Sequence, residues 1–557
     1  MIKKIGKFNL FLIGFIFINI LQSIYTPLIP DEAYYYMFSQ NLSWGYFDHP
    51  PMVAYIIKVS SLLFSNELGV RFVTVILNTW MTVIIWKLIP EKNKKLPYAE
   101  LLFFGILLSM PLFQVYSFIT TPDAPLLFSF ALYLLAIKKI NEKDTITHAL
   151  FLGLAAALLI YSKYHGGILI ILSIVFQPHL LKRWTTYLAG FFALILIFPH
   201  LIWLYQNDFI PFKFHIVQRT DGSFKFEHVW VYVVGTIGLL NPALVILFIY
   251  FLIKNKTLVQ KEDQFLFRMI YGFLFFLFIY SFRARIGEHW VAPALIPLSI
   301  IVYNIGITNT KFLKPLKYCV GIVVILIFIL RIVPLLDLQI KSPLHTQKKE
   351  YYKEIEKLAQ DKVVFFRNSF QQTSKYAYYT GKESFSFNGV SSRKNHYDLL
   401  SPEILFKGKD VIVVQKWKTK GYDSIVLKNG KIRYYKEFTN YPYYSKLEVK
   451  LNFATDTFTN GETKKITFRF KNPYEYDLDF NRKDIPAKLA LYFINGENKK
   501  SIIINPNINI LKAKDSIQFQ LDVPIKNIPK GTYNLKTIMK MGIDFQDIGE
   551  SYSILIE

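Results

Sequence analysis

The chain has 557 residues, of which 52% are hydrophobic and 17% aromatic, and its formal charge is +25. That length calls for more than one folding unit, and the apolar content is that of a membrane protein, not a soluble one. The Lys and Arg residues fall mostly in short loops between long apolar runs and in the C-terminal tail. They therefore suit anionic lipid headgroups and argue against a nucleic-acid partner. Cys319 is the only cysteine, which excludes an intrachain disulfide and a cysteine metal site.

In chain order, the basic start MIKKIGK leads into a long apolar core with no small-residue cleavage site after it, so it reads as a retained first helix. Eleven runs up to about residue 338 reach the roughly 20 apolar residues that cross a bilayer. They cover approximately 8–26, 69–89, 98–117, 123–140, 146–162, 166–181, 184–204, 229–253, 264–282, 289–306 and 317–337. Lys3, Lys4 and Lys7 put the N-terminus in the cytoplasm, and alternate loops are basic in turn: Lys92 to Lys95, Lys138 to Lys143, Lys182 and Arg183, Lys254 to Lys261, and Lys311 to Lys317. Eleven crossings leave the C-terminal region outside the cytoplasm. The expected fold is thus a polytopic α-helical membrane domain (1–340) followed by soluble domains.

Two of the outward loops are long. One spans 27–68, is rich in Tyr, Trp, Pro and acids, and reads as short interfacial helices; the other spans 205–228. Beyond residue 340 the composition turns soluble. Residues 341–438 read as a small α/β domain, with strands near 363–370, 384–388 and 410–416. From 439 to 557 apolar residues alternate with period two between Asn-Gly and Lys-Gly turns, which predicts an immunoglobulin-like β-sandwich. There is no Gly-rich phosphate loop, so a soluble nucleotide site is not supported.

Acidic residues gather at the predicted outer helix ends: Asp31, Glu32, Asp48, Asp123 and Glu288. Each alone is equally well read as a helix cap or a first-turn acid. Their convergence on one membrane face favours a site. Cations collect on the same side, at His49, Lys163, His165, His215, Arg219, Arg283, Arg285 and His289. Outer loops normally lack Arg, and guanidinium groups suit a phosphate, although pairing with Glu288 or with lipid phosphates is the blander account. A carboxylate can take the proton of an attacking hydroxyl, and cations can stabilise a departing phosphate. A divalent Mg or Mn at these carboxylates stays open beside the base and capping roles.

Five segments in order sharpen this reading: DEAYYYMFSQNLSWGYFDHPPM (31–52), TTPDAPL (120–126), PHLIWLYQNDFIPFKFHIVQR (199–219), LLNP (239–242) and EHWVAPALIPL (288–298). Together they resemble the GT-C glycosyltransferases of the protein O-mannosyltransferase and aminoarabinose (lipid A) transferase group, over roughly residues 1–340. The resemblance implies a first outer loop lining a cavity for a polyprenyl-phosphate sugar, with transfer that inverts the anomeric centre. Asp31 matches the Asp of the family's DE pair and would be the base. Glu32 is the adjacent acid, and neighbours cannot share a helix face. Asp48 matches the second acidic position, which is Glu in the aminoarabinose enzymes. His49 stands where those enzymes carry a Lys near the donor phosphate, and Lys163, Arg283, Arg285 and His289 are further phosphate candidates. Tyr34, Tyr46, Asp123, His215 and Arg219 complete the cavity candidates. The departures are the helix count, eleven against thirteen in the aminoarabinose enzymes, and the sandwich-like tail.

The expected activity is therefore transfer of a sugar from a polyprenyl-phosphate donor to a glycolipid such as lipid A, a polysaccharide or a protein. The expected place is the extracytoplasmic face of a bacterial inner membrane, with membrane lipids as the other partners, the lipid-linked sugar as co-substrate, and a divalent Mg or Mn left open. The rival readings are a flippase of lipid-linked sugars and a non-catalytic glycan-binding membrane protein. A transporter would show paired repeats and midplane charges, and neither is evident in the sequence.

Overall fold

The computed structural model describes residues 6–557 apart from 97, 219–223, 256–257, 333–348, 391, 401–404, 443, 445, 486, 497 and 506–507. It divides into two compact units, Met1–Lys348 and Lys349–Glu557.

The first unit is helical. Its main helices are α1 (Lys7–Tyr25), α2 (Pro30–Gln40), α3 (Met52–Leu63), α4 (Leu68–Leu88), α5 (Ala99–Leu108), α6 (Pro111–Tyr116), α7 (Asp123–Glu142), α8 (Ile146–Ser162), α9 (His165–Phe176), α10 (Trp184–Gln206), α11 (Phe226–Leu239), α12 (Pro242–Lys254), α13 (Gln264–Ser281), α14 (Leu295–Thr308) and α15 (Thr310–Ile332). Many turn apolar side chains outward: Phe191, Leu194, Ile195 and Phe198 on α10, and Ile322, Ile325, Leu326 and Ile329 on α15, are all exposed. Such surfaces belong in hydrocarbon.

Six described stretches are long and apolar enough to cross a bilayer alone: Lys7–Tyr25, Leu68–Leu88, Trp184–Gln206, Lys261–Ser281, Glu288–Thr308 and Thr310–Ile332. The count is seven if Phe226–Leu239 and Pro242–Lys254, bent by 97°, form one span. The expected eleven spans are therefore not confirmed, and the reasons are local. The 98–117 run is broken before Pro111, whose ring removes a helix donor. The 146–162 and 166–181 runs are two short helices joined at Lys163-Tyr164. In the 229–253 run, Asn241 adopts a left-handed φ of 81°, accepts the Leu244 N–H at 3.1 Å and donates to Ser109 Oγ at 3.0 Å, so the chain turns sharply at Pro242. The 123–140 run forms one helix, α7, but carries charges near both ends.

Buried polar side chains tie these helices together. The Arg331 guanidinium donates to Gln114 Oε1 at 2.6 Å and Asn19 Oδ1 at 2.8 Å, and Gln22 Nε2 donates back to the Arg331 carbonyl at 3.3 Å. This links the last long helix to the first and to α6 without a carboxylate counter-ion among the described residues. The Phe118 ring lies 5.0 Å from Arg331 and 5.7 Å from Arg71, within cation–π range of both.

The second unit opens with α16 (Lys349–Ala359) and a five-stranded sheet: β1 (Val363–Arg367), β2 (Ser384–Phe387), β3 (Val411–Gln415), β4 (Asp423–Val426) and β5 (Ile432–Phe438), in the order β2-β1-β3-β5-β4. Strand β1 runs parallel to both β2 and β3, and the chain passes from β1 through α17 (Phe370–Thr380) to β2. The β-rich remainder holds two antiparallel ladders. One is β6 (Glu448–Asn452), β7 (Thr463–Lys471) and β10 (Ser516–Pro524); the other is β8 (Ala487–Asn495), β9 (Asn498–Ile504), β11 (Gly531–Met541) and β12 (Phe545–Ile556). Val449, Phe468 and Phe470 from the first ladder and Leu491, Phe493 and Leu535 from the second share one apolar core. The alternating pattern is visible along β7, where Ile466, Phe468 and Phe470 are buried between more exposed neighbours.

Candidate active site

The first long loop carries the helices α2 and α3, and buried polar contacts fix it in place. Glu32 is fully buried. Its carboxylate receives Arg71 Nε at 2.7 Å and Nη2 at 2.5 Å, the Thr120 backbone N–H at 3.0 Å, and the Ile29 N–H at 3.0 Å. Arg71, also fully buried, spends its remaining donors on the carbonyls of Ser23, Thr26 and Pro27. Glu32 is therefore a joint between α2, α4 and the 120s segment. Its carboxylate already accepts four protein N–H donors, which suits a structural part better than the catalytic one expected of it. Asp31, the neighbouring residue on a different face of α2, is partly exposed.

The rest of the loop wraps around Tyr46. Its ring stacks on Phe38 at 4.2 Å, and its hydroxyl sits between the Phe38 and Asn41 carbonyls and the Ser43 N–H. Tyr34 is likewise core, edge-on to Phe38 at 4.7 Å. Both were expected in the cavity, and both side chains are buried within the loop. Two contacts pin the loop to α10. His200 Nδ1 donates to the Trp44 carbonyl at 2.6 Å, and Gly45 lies so close to the Trp203 ring that a Cβ would collide with it.

Around this frame the structure gathers most of the expected charges. Asp123 opens α7 and is nearly buried, 2.7 Å from Lys163 Nζ in the turn between α8 and α9, and 3.9 Å from His289 Nε2. The cation at Lys163 is thus neutralised by Asp123. Asp48 is buried, with no side-chain cap on the α3 that follows it. His215 Nε2 donates to the Asp48 carbonyl at 3.0 Å, while Tyr280 donates to the His215 carbonyl at 3.1 Å. His49 lies edge-on to Tyr35 at 5.5 Å and 6.2 Å from the His215 ring, and His165 stands edge-on to Trp290 at 4.3 Å.

Tyr35 marks the centre of the group. Burial and the negative charges of Asp48, Asp31 and Asp123 hold its hydroxyl well above the usual phenol range. Tyr35 was not among the tyrosines singled out in the sequence, which were Tyr34 and Tyr46. Its only signal there was its place one residue further along the YYY run. Arg71 was overlooked as well, although an arginine inside an apolar helix is a signal of its own.

Arg283 and Arg285 stand apart from these contacts. Both are exposed in the turn after α13, without an ion pair among the described residues. Arg219 lies outside the described residues. No grouping of three His, Cys, Asp or Glu side chains suited to a metal occurs among the described residues, so the carboxylates here do not form a ready-made ligand set.

Comparison with known proteins agrees with this picture. Residues 48–203 match the family model described as dolichyl-phosphate-mannose-protein mannosyltransferase. A lipid A galacturonosyltransferase, RgtD of Rhizobium johnstonii, is 27% identical over 191 residues; the match covers 33% of this chain and 40% of that relative. The fold is that of ArnT from Cupriavidus metallidurans in its apo state, with a TM-score of 0.57 at 13% identity, covering 77% of this chain and 97% of that one. The same protein bound to undecaprenyl phosphate superposes with a TM-score of 0.56. The chain is thus similar over residues 48–203 to the protein mannosyltransferase family, spans less than half the length of the lipid A galacturonosyltransferase it matches, and shares the fold of ArnT.

Proposed function

We propose that the protein is an inverting glycosyltransferase that moves a sugar from a polyprenyl-phosphate donor to a glycolipid of the lipid A class, on the extracytoplasmic face of the inner membrane. The observation that carries this reading is the contrast within the DE pair. Glu32 is locked to Arg71, which leaves Asp31 as the partly exposed acid on a loop whose position is fixed. A carboxylate so placed accepts the proton of an acceptor hydroxyl as its oxygen bonds to the anomeric carbon. The carbon–oxygen bond to phosphate breaks on the opposite face, and the polyprenyl phosphate leaves with the electron pair.

The residues of this chain divide that work. Asp31 takes the proton, and Glu32 and Arg71 hold it in place. Asp48, Tyr35 and Asp123 line the polar centre. His49, His215 and His289 border it, and Arg283 and Arg285 carry positive charge that no carboxylate offsets among the described residues. Such charge suits the leaving phosphate, where negative charge builds in the transition state. The lipid A acceptor is favoured by the galacturonosyltransferase relative, and the polyprenyl-phosphate donor by the ligand of the ArnT structure.

The test is Asp31→Asn in the full chain. This isosteric change should leave insertion and accumulation intact and lower transfer by at least about 100-fold, the usual weight of a general base. Unimpaired transfer would remove Asp31 from the base role.

A further inference from the structure

Polar crevices outside the membrane unit have no part in the transfer reading, and one of them is built like a binding site. It lies in the C-terminal unit, at the carboxyl ends of the parallel strands β1 and β3, as a narrow crevice with room for about 40 Å³ that opens to solvent at its rim. From β1 the chain continues through α17 to β2 on one side, while β3 pairs on the other. The loops after β1 and β3 therefore diverge, and the gap between them is where open α/β sheets bind ligands.

The lining is specific in its chemistry. Arg433 is only 7% exposed, yet no carboxylate pairs with it among the described residues. Its Nε donates to the Tyr351 hydroxyl at 2.7 Å and its Nη1 to the Ile432 carbonyl at 2.7 Å, which orients the guanidinium and leaves Nη2 uncommitted. Burying a cation without a counter-ion is costly, so such a site is most stable with an anion beside it. Lys416 adds a second positive charge, and no acidic residue lines the crevice. Arg367, also in the wall, is neutralised by Asp544 at 2.7 Å and donates to Gln415 Oε1 at 3.0 Å. Gln415 in turn donates to the Trp417 carbonyl at 2.9 Å, which sets the loop carrying Trp417. Trp417 is 60% exposed at the rim, which leaves its indole face open to a ligand.

We propose that this crevice is a binding subsite for an anionic saccharide, a sugar bearing a phosphate or a carboxylate. The sugar ring packs on Trp417, and the anionic group reaches Arg433 and Lys416. An aromatic platform beside fixed cations selects a ligand that is flat and apolar on one face and negative at one end. The proposal rests on the transferase reading only for its purpose, which is to hold the glycan of the acceptor. Binding itself needs no turnover.

The experiment is ligand-observed saturation-transfer NMR on the full chain in nanodiscs, with no donor present, so a failed transfer assay leaves its outcome standing. The probes are glucose 6-phosphate, galacturonate, glucose and inorganic phosphate. Glucose 6-phosphate, galacturonate or both should bind, and the pair identifies which anionic group is preferred. Trp417→Ala and Arg433→Gln should each weaken that binding roughly tenfold, the scale of one charge-assisted contact. Should Arg433→Gln fail to fold, Lys416→Gln takes its place as a surface change with the same expectation. Wild-type binding by these variants would overturn the proposal, as would glucose binding as well as the anionic sugars. Displacement of the sugars by equimolar inorganic phosphate would overturn the saccharide part.

Discussion

The two units of this protein use charge in opposite ways. In the membrane unit the decisive ion pairs are sealed: Arg71 with Glu32 at 0% exposure for both side chains, and Lys163 with Asp123 at 4% for both. In the C-terminal unit most pairs lie at the surface, as with Lys471 and Glu448 across β7 and β6, or Lys409 and Glu383. A sealed pair contributes little net attraction after desolvation, but losing one partner strands the other without water. A surface pair loses almost nothing, because water replaces the missing partner. Buried charge therefore fixes geometry in the first unit, and surface charge in the second serves chiefly solubility.

Substitutions can break that contrast. The largest effect is expected for Glu32→Ala, which leaves Arg71 buried and uncompensated; it should destabilise the membrane unit by about 3–5 kcal/mol and lower the thermal midpoint in detergent accordingly. A paired Glu32→Leu and Arg71→Met change should recover much of that stability yet not restore transfer, since the Thr120 and Ile29 N–H groups lose their acceptor. Equal stability of Glu32→Ala and the wild type would show that the joint is not what holds the loop. Next comes Lys163→Met. It leaves Asp123 without its close cation, with His289 at 3.9 Å as the remaining partner, and a loss of about 2–4 kcal/mol fits a buried pair with a second cation nearby. The smallest effect belongs to Lys471→Ala, an exposed position on β7, which should shift stability by less than about 1 kcal/mol. A loss there as large as at Lys163 would erase the distinction between the units.

What the sequence disclosed follows the same division. The fold class was readable because hydrocarbon-length apolar runs and period-two alternation are both one-dimensional signals. Helix breaks were legible only in part: the interruption near Lys163-Tyr164 already separates two apolar runs, whereas the turn at Asn241-Pro242 depends on side-chain capping that hydropathy averages over. At the site, Asp31, Asp48, Asp123, His49, Lys163 and His289 could be listed from their clustering at predicted helix ends. Their separate duties could not. Glu32 and Asp31 are adjacent in sequence and similar in chemistry, and only the position of Arg71, 39 residues further on, engages the one and leaves the other partly exposed. Tyr35 escaped for a related reason, because which of three successive tyrosines lies nearest the acidic residues is a matter of helix rotation, and burial with the charges of Asp48, Asp31 and Asp123 raises the Tyr35 phenol.

The central claim, that the molecule transfers a sugar from a lipid phosphate, is tested most directly by label. Purified protein would be incubated with radiolabelled polyprenyl-phosphate sugars and an envelope extract, and the glycolipid, polysaccharide and protein fractions counted. The account predicts label in the glycolipid fraction, absent when Asp31→Asn replaces the wild type. Donor that binds or crosses vesicles with its sugar still attached would contradict it.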